Sequence, residues 1–173
     1  MVAPSNTWTP LALAELVEGL GGAIVSPHSQ STIQAMHMVR ILKEHGKLDL
    51  LKGIIMPEGA APLAAAGLVG SDFDHIPFLL VNGDYRPLET PVSGRLANRA
   101  DVAAMNASPT RTVGPALALD LDDPRFGGRF KGNTHMNMLG TTNIAVFDFL
   151  LEWASTNIPN PFVPDGCGDK EKE

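Results

Sequence analysis

The chain has 173 residues, of which 44% are hydrophobic and 18% charged. That suits one folded domain with a buried core and excludes a disordered, acidic-tail or coiled-coil chain. Thirteen Lys and Arg against nineteen Asp and Glu give a net charge of −6 with no basic cluster, which argues against nucleic acid or an anionic membrane as a partner.

Thr9 and Pro10 suit the cap and first position of a helix over 10–20, with Leu13, Leu16, Val17 and Leu20 on one apolar stripe. Gly21-Gly22 ends it, and Ala23 to Pro27 reads as a buried strand. After His28-Ser29-Gln30 a second helix begins, marked by Ile33, Met36, Val39 and Leu42 and ended by Gly46. Gly53 to Pro57 is a second strand, Pro62 to Ala66 a weak helical turn, and Pro77 to Asn82 a third strand closed by Gly83-Asp84. A helix is expected over 92–106 and a fourth strand over Gly114 to Leu119. A loop with Gly127, Gly128 and Gly132 follows, then a last helix over 142–156. Short apolar strands alternating with helices predict an α/β fold with a parallel sheet flanked by helices. Residues 1–158 are read as one domain and 159–173 as a polar, mobile tail holding the single cysteine, Cys167. No stretch reaches the length of a membrane span, and the first residues lack a signal-peptide pattern, which leaves the compartment open.

Chemistry concentrates at Ala23 to Gln34, where an apolar strand runs through Pro27-His28-Ser29-Gln30-Ser31 straight into a helix. This is the setting of a nucleophile elbow, in which a sharp turn lifts a serine hydroxyl out of the sheet beside the N–H groups of a helix. Ser31 is small enough for such a turn, whereas Pro27 departs from the usual glycine. The rival reading is a plain strand-to-helix turn in which Ser29 caps the helix. Two further segments bear on the choice. Met56-Pro57-Glu58 ends the second strand in a carboxylate, at the carboxyl edge where open α/β sheets build their sites. Gly132-Asn133-Thr134-His135-Met136 puts a histidine in the loop before the last helix. Serine, acid and histidine in that chain order match α/β-hydrolases.

His28-Ser29-Gln30-Ser31, Met56-Pro57-Glu58-Gly59 and Gly132-Asn133-Thr134-His135-Met136 together resemble a bacterial esterase branch of the α/β-hydrolase superfamily, in which the acid is a glutamate after strand six. The resemblance covers roughly Leu16 to Trp153. It implies Ser29 as nucleophile, Glu58 as acid, His135 as base and the Gln30 N–H as one oxyanion-hole donor. It also implies a small-molecule ester as substrate and neither cofactor nor metal. The elbow serine of that branch follows strand five, so the chain is expected to be the C-terminal portion of such a fold, without strands one to four. Two functions follow. One is a carboxylic-ester hydrolase. The other is a non-catalytic fragment or subunit that needs a missing N-terminal half, or a second copy, to complete the sheet.

Asp84 is the rival acid, since it ends the third strand where most α/β-hydrolases keep an aspartate; otherwise it is a turn carboxylate. His28 is expected to flank the site or pack, and His37 and His45 to lie at the surface or core edge. His75 with Asp72 and Asp74 fits no familiar metal-ligand spacing, and Asp120, Asp122 and Asp123 read as a solvated turn. Met36, Met38, Met136 and Met138 are candidates for an acyl pocket or for core filler.

Overall fold

The computed structural model describes residues 8–84 and 95–160. Cys167 and the tail from residue 161 lie outside the described residues, as does the start of the helix expected over 92–106. Helix α1 runs Trp8–Gly19, β1 Ala23–Val25, α2 Ser31–Glu44, β2 Leu51–Pro57, β3 Phe78–Asn82, α3 Arg95–Asn106, β4 Leu117–Asp120 and α4 Asn143–Asn157. The strands form one four-stranded parallel sheet in the order β1-β2-β3-β4.

Parallel neighbours cannot be joined by a hairpin, so every connection crosses over the sheet. Crossovers of one hand that step the same way across a sheet lie on one face of it. Accordingly α2 and α3, joined by α1, bury Ile54, Met56, Phe78 and Leu80 on that face. Helix α4 follows β4 and covers the other face, against Ile55, Leu79, Val81 and Leu119. Neighbouring residues of one strand thus serve opposite layers, and β3 is buried along its whole length. That is why its sequence shows no polar alternation.

The helix expected to start after a Thr9 cap begins at Trp8, which places Thr9 inside the first turn. Gly22, at φ 134°, turns the chain from α1 into β1; a Cβ there would lie 2.7 Å from Lys52 Cε and 3.0 Å from the Leu50 carbonyl oxygen. The β2–β3 crossover is built from two 3₁₀ turns, Leu63–Ala66 and Gly70–Phe73. Strand β4 starts three residues later than its sequence suggests. The Asn106 side chain bonds both the N–H (2.8 Å) and the carbonyl (2.9 Å) of Ala116, and pairing with β3 begins at Leu79↔Leu117. Among the described residues no helix is long and apolar enough to cross a membrane.

Candidate active site

The strand register aligns the carboxyl ends of the sheet. Pro57 of β2 stands beside Val81 of β3, and Asn82 of β3 beside Asp120 of β4. The residues just past these ends, Glu58 and Gly83, therefore meet at one rim, and the turn after β1 opens onto the same rim.

That turn is tightly pinned. The His28 N–H donates to Ser31 Oγ (2.9 Å), while the Ser31 hydroxyl donates back to the His28 carbonyl (2.8 Å). The Thr32 hydroxyl donates to the Ser29 carbonyl at 2.5 Å, and the Ser29 N–H reaches the Pro57 carbonyl at 3.4 Å. Within this frame Ser29 adopts φ 53°, a left-handed conformation unusual for a residue with a Cβ. Gln30, not Ser29, is the N-cap of α2, and no side chain caps that helix end. The Ser29 hydroxyl is thus not used for capping. It points to His135, with Oγ 2.7 Å from Nε2. The Gln30 N–H has no acceptor among the described residues and lies at the start of α2, where helix N–H groups favour an anion.

Glu58 is 3% exposed and also left-handed, at φ 52°. Its N–H donates to the Val81 carbonyl at 2.7 Å, which carries the β2–β3 ladder to the rim. The two carboxylate oxygens have separate tasks. Oε1 accepts the Gly83 N–H and lies 3.6 Å from Nη2 of Arg95, while Oε2 lies 3.2 Å from His135 Nδ1. Arg95 is itself 2% exposed, and its Nη2 donates to the Gly83 carbonyl at 2.5 Å. A buried carboxylate needs such partners, since an unpaired charge in the interior costs several kcal/mol.

Gly83 lies between Glu58 and the loop that carries His135. A Cβ there would stand 2.7 Å from the Thr134 carbonyl oxygen, 2.9 Å from that of Asn133 and 3.0 Å from Glu58 Oε1. Gly83→Ala is expected to destabilise the fold by about 1–3 kcal/mol through overpacking against backbone that cannot yield. Urea denaturation would check this, and an unchanged midpoint would contradict it.

The His135 loop has little regular structure and is held by tethers. The Asp84 N–H donates to the Asn133 carbonyl (3.0 Å), Asp84 Oδ2 accepts the Gly132 N–H (2.6 Å), and Asn133 Nδ2 donates to Thr142 Oγ1 (3.0 Å). Asp84 therefore bonds the backbone of the loop, whereas Glu58 faces the ring. The protonation of the ring follows from its partners. A carboxylate only accepts, so Nδ1 carries the proton and the neutral ring presents the Nε2 lone pair to the serine hydroxyl. The His135 side chain is 27% exposed, so the relay can be approached from solvent.

The other candidates lie elsewhere. His45 and Lys47 bond Glu18, and His75 bonds Thr112. Asp72 pairs with Lys43. Asp74 accepts from Thr110 and Ser108, whose hydrogen bonds hold its carboxyl below the ordinary aspartate value. Asp120 is paired with Arg99 and Asp123 caps a 3₁₀ turn, so the acidic turn is not uniformly solvated. His37 is half-buried in α2, whose Met36 and Met38 belong to the core; Met136 and Met138 are exposed next to His135. Among the described residues no cluster of three His, Cys, Asp or Glu side chains is placed to hold a metal. Sequence reasoning missed Gly83 and Arg95, and it left His28 without a definite contact. Nothing in the local pattern marks Arg95, whose burial depends on a partner 37 residues away in the chain. The place of His28 beside Ser29 was a usable sign.

No family model matches this chain, and no curated protein does. Among solved structures the chain is similar to that of a novel bacterial esterase determined at atomic resolution. The two share 28% sequence identity with a TM-score of 0.67, over 89% of this chain and 44% of that one. The four-stranded parallel sheet flanked by helices is thus an α/β fold similar to an esterase structure. The chain spans less than half the length of that esterase chain.

Proposed function

We propose that the chain carries the acid–base and nucleophilic machinery of a carboxylic-ester hydrolase of the α/β-hydrolase type. The observation that carries this reading is the relay Glu58–His135–Ser29, with spacings of 3.2 and 2.7 Å, built on a left-handed strand-to-helix turn. The likeness to a bacterial esterase supports the same reaction class.

In this mechanism Ser29 Oγ attacks the ester carbonyl while His135 Nε2 takes its proton. The Gln30 N–H donates to the oxyanion of the tetrahedral intermediate. His135 then gives its proton to the departing alkoxide, which leaves as the alcohol, and an acyl-Ser29 ester remains. Water enters, His135 removes a proton from it, and the same cycle releases the acid and restores the serine. Glu58 holds the ring in the Nδ1–H form and stabilises the imidazolium, with Arg95 and Gly83 fixing the carboxylate from behind. No cofactor enters these steps. The test is labelling of the intact chain with a fluorophosphonate probe. Modification mapped to Ser29 upholds the reading, and a folded chain that stays unlabelled overturns it.

We also propose that full turnover needs further polypeptide alongside β1, in the same chain or in a partner. Strand β1 pairs only with β2 among the described residues, its three residues are half-buried, and Leu16 of α1 and Leu20 just after that helix stand exposed nearby in sequence. An open parallel edge beside apolar side chains invites pairing. The chain covers 44% of the esterase chain, which leaves room for further strands. Residues 1–158 then form the C-terminal portion of the domain. The chain alone is expected to self-associate and to turn over esters slowly; co-expression with an N-terminal α/β half should restore a defined size and activity together. Size-exclusion chromatography coupled to a p-nitrophenyl ester assay measures both. A sharp monomer with turnover that the added half does not raise would contradict this.

A further inference from the structure

The ring of His28 turns back over the site. Its Nε2 lies 2.7 Å from the carbonyl oxygen of His135, and the two imidazole rings are 5.0 Å apart at 48°. A main-chain carbonyl only accepts, so His28 Nε2 must carry the proton and donate it. The contact joins residues 107 apart in sequence and runs from the elbow to the backbone of the residue that faces the serine. On the elbow side the anchor is stiff, because the His28 N–H and carbonyl are both engaged by Ser31 Oγ.

The loop needs such an anchor. Its tethers to Asp84 act at Gly132 and Asn133, three and two residues before the ring, and the next regular turn, Asn137–Leu139, begins two residues after it. Between these points the His135 carbonyl is held by His28. Glu58 fixes one ring nitrogen but not the peptide plane that aims the ring at Ser29.

We infer that His28 is a positioning residue, which sets the distance between His135 Nε2 and Ser29 Oγ by holding the His135 peptide; this rests on the hydrolase reading above. A hydrogen bond through Nε2 spans roughly the reach of a glutamine amide, so glutamine should preserve the tether and leucine should remove it without adding bulk. A misplacement of about 1 Å in a reacting pair costs on the order of 10²-fold.

The experiment compares the full chain with its His28→Gln and His28→Leu variants, by p-nitrophenyl ester kinetics and by amide hydrogen exchange of the segment 132–140. For His28→Leu, kcat is expected to fall about 10- to 100-fold with KM within about threefold, and exchange in 132–140 to quicken by about tenfold. His28→Gln should recover most of both. Unchanged exchange in His28→Leu overturns the proposal, and so does faster exchange with unchanged kcat, or an equal loss in both variants. If the unaltered chain turns over no ester, the exchange result still decides: a loop loosened in His28→Leu and restored in His28→Gln upholds the tether, while the hydrolase reading fails only if Ser29 also stays unlabelled by the fluorophosphonate.

Discussion

Ser29→Ala is expected to lower ester turnover by at least about four orders of magnitude, leaving only the contribution of oxyanion binding. In the proposed mechanism the hydroxyl forms the acyl bond, and no other side-chain nucleophile is placed on His135 Nε2 among the described residues. The fold should barely respond. Ser29 Oγ makes one side-chain contact, to a half-exposed ring, and alanine meets the same left-handed backbone that serine already tolerates. Chemical denaturation should therefore move by less than about 1 kcal/mol. Comparing p-nitrophenyl ester turnover with the urea midpoint separates loss of chemistry from loss of structure. A variant that keeps turnover would remove Ser29 from the mechanism.

Glu58→Gln is expected to cost about 10⁴-fold in kcat, against less than about tenfold for Asp84→Asn. The size is nearly the same in Glu58→Gln, but the group facing His135 Nδ1 becomes an amide. If its N–H₂ faces the ring, two donors oppose each other and the ring is pushed to the wrong tautomer. If its oxygen faces the ring, the N–H₂ opposes the Gly83 N–H and the Arg95 guanidinium instead. Arg95, 2% exposed, would also lose the Glu58 charge 3.6 Å from its Nη2, so stability should fall by about 1–3 kcal/mol. Asp84 has a lighter task. Its oxygen accepts the Gly132 N–H, and the amide oxygen of asparagine can do the same. Steady-state kinetics and urea denaturation of the two variants check both effects, and a greater kinetic loss in Asp84→Asn would reverse the assignment of the acid.

Strand position alone did not separate these two carboxylates, because both close neighbouring strands at the same rim; only the family resemblance favoured Glu58. The difference is made by backbone. Glu58 turns left-handed and sends its side chain inward beneath the histidine loop, while Asp84 continues outward and bonds the base of that loop. The strands, by contrast, were legible. β1, β2 and β3 are short apolar runs bounded by glycine and proline, and burial on two faces makes such runs continuous. The start of β4 was not, since it depends on an asparagine clasp from α3 that no local pattern announces. The same limit applies within the site. Ser29 and Glu58 drew notice because each stands just past the end of a strand, and His135 because it lies in the loop between β4 and α4. Arg95 and the contact made by His28 depend on which way side chains point after the chain has folded.

Two of the three residues in the relay stand in a backbone conformation that favours glycine, Ser29 at φ 53° and Glu58 at φ 52°. Each such residue costs about 1–2 kcal/mol relative to an unstrained one. Glycine at Ser29 would relieve that cost and would erase the proposed nucleophile in the same step, while glycine at Glu58 would relieve it only by giving up the buried carboxylate's contacts. At Ser29 the site is thus held against the preference of its own backbone, and a screen that rewarded thermal endurance alone would select that side chain out of the protein, whereas the contacts of Glu58 to Gly83 and Arg95 outweigh its strain. Engineering this chain for robustness has to exempt both positions and seek its gains in the helices and the far ends of the strands.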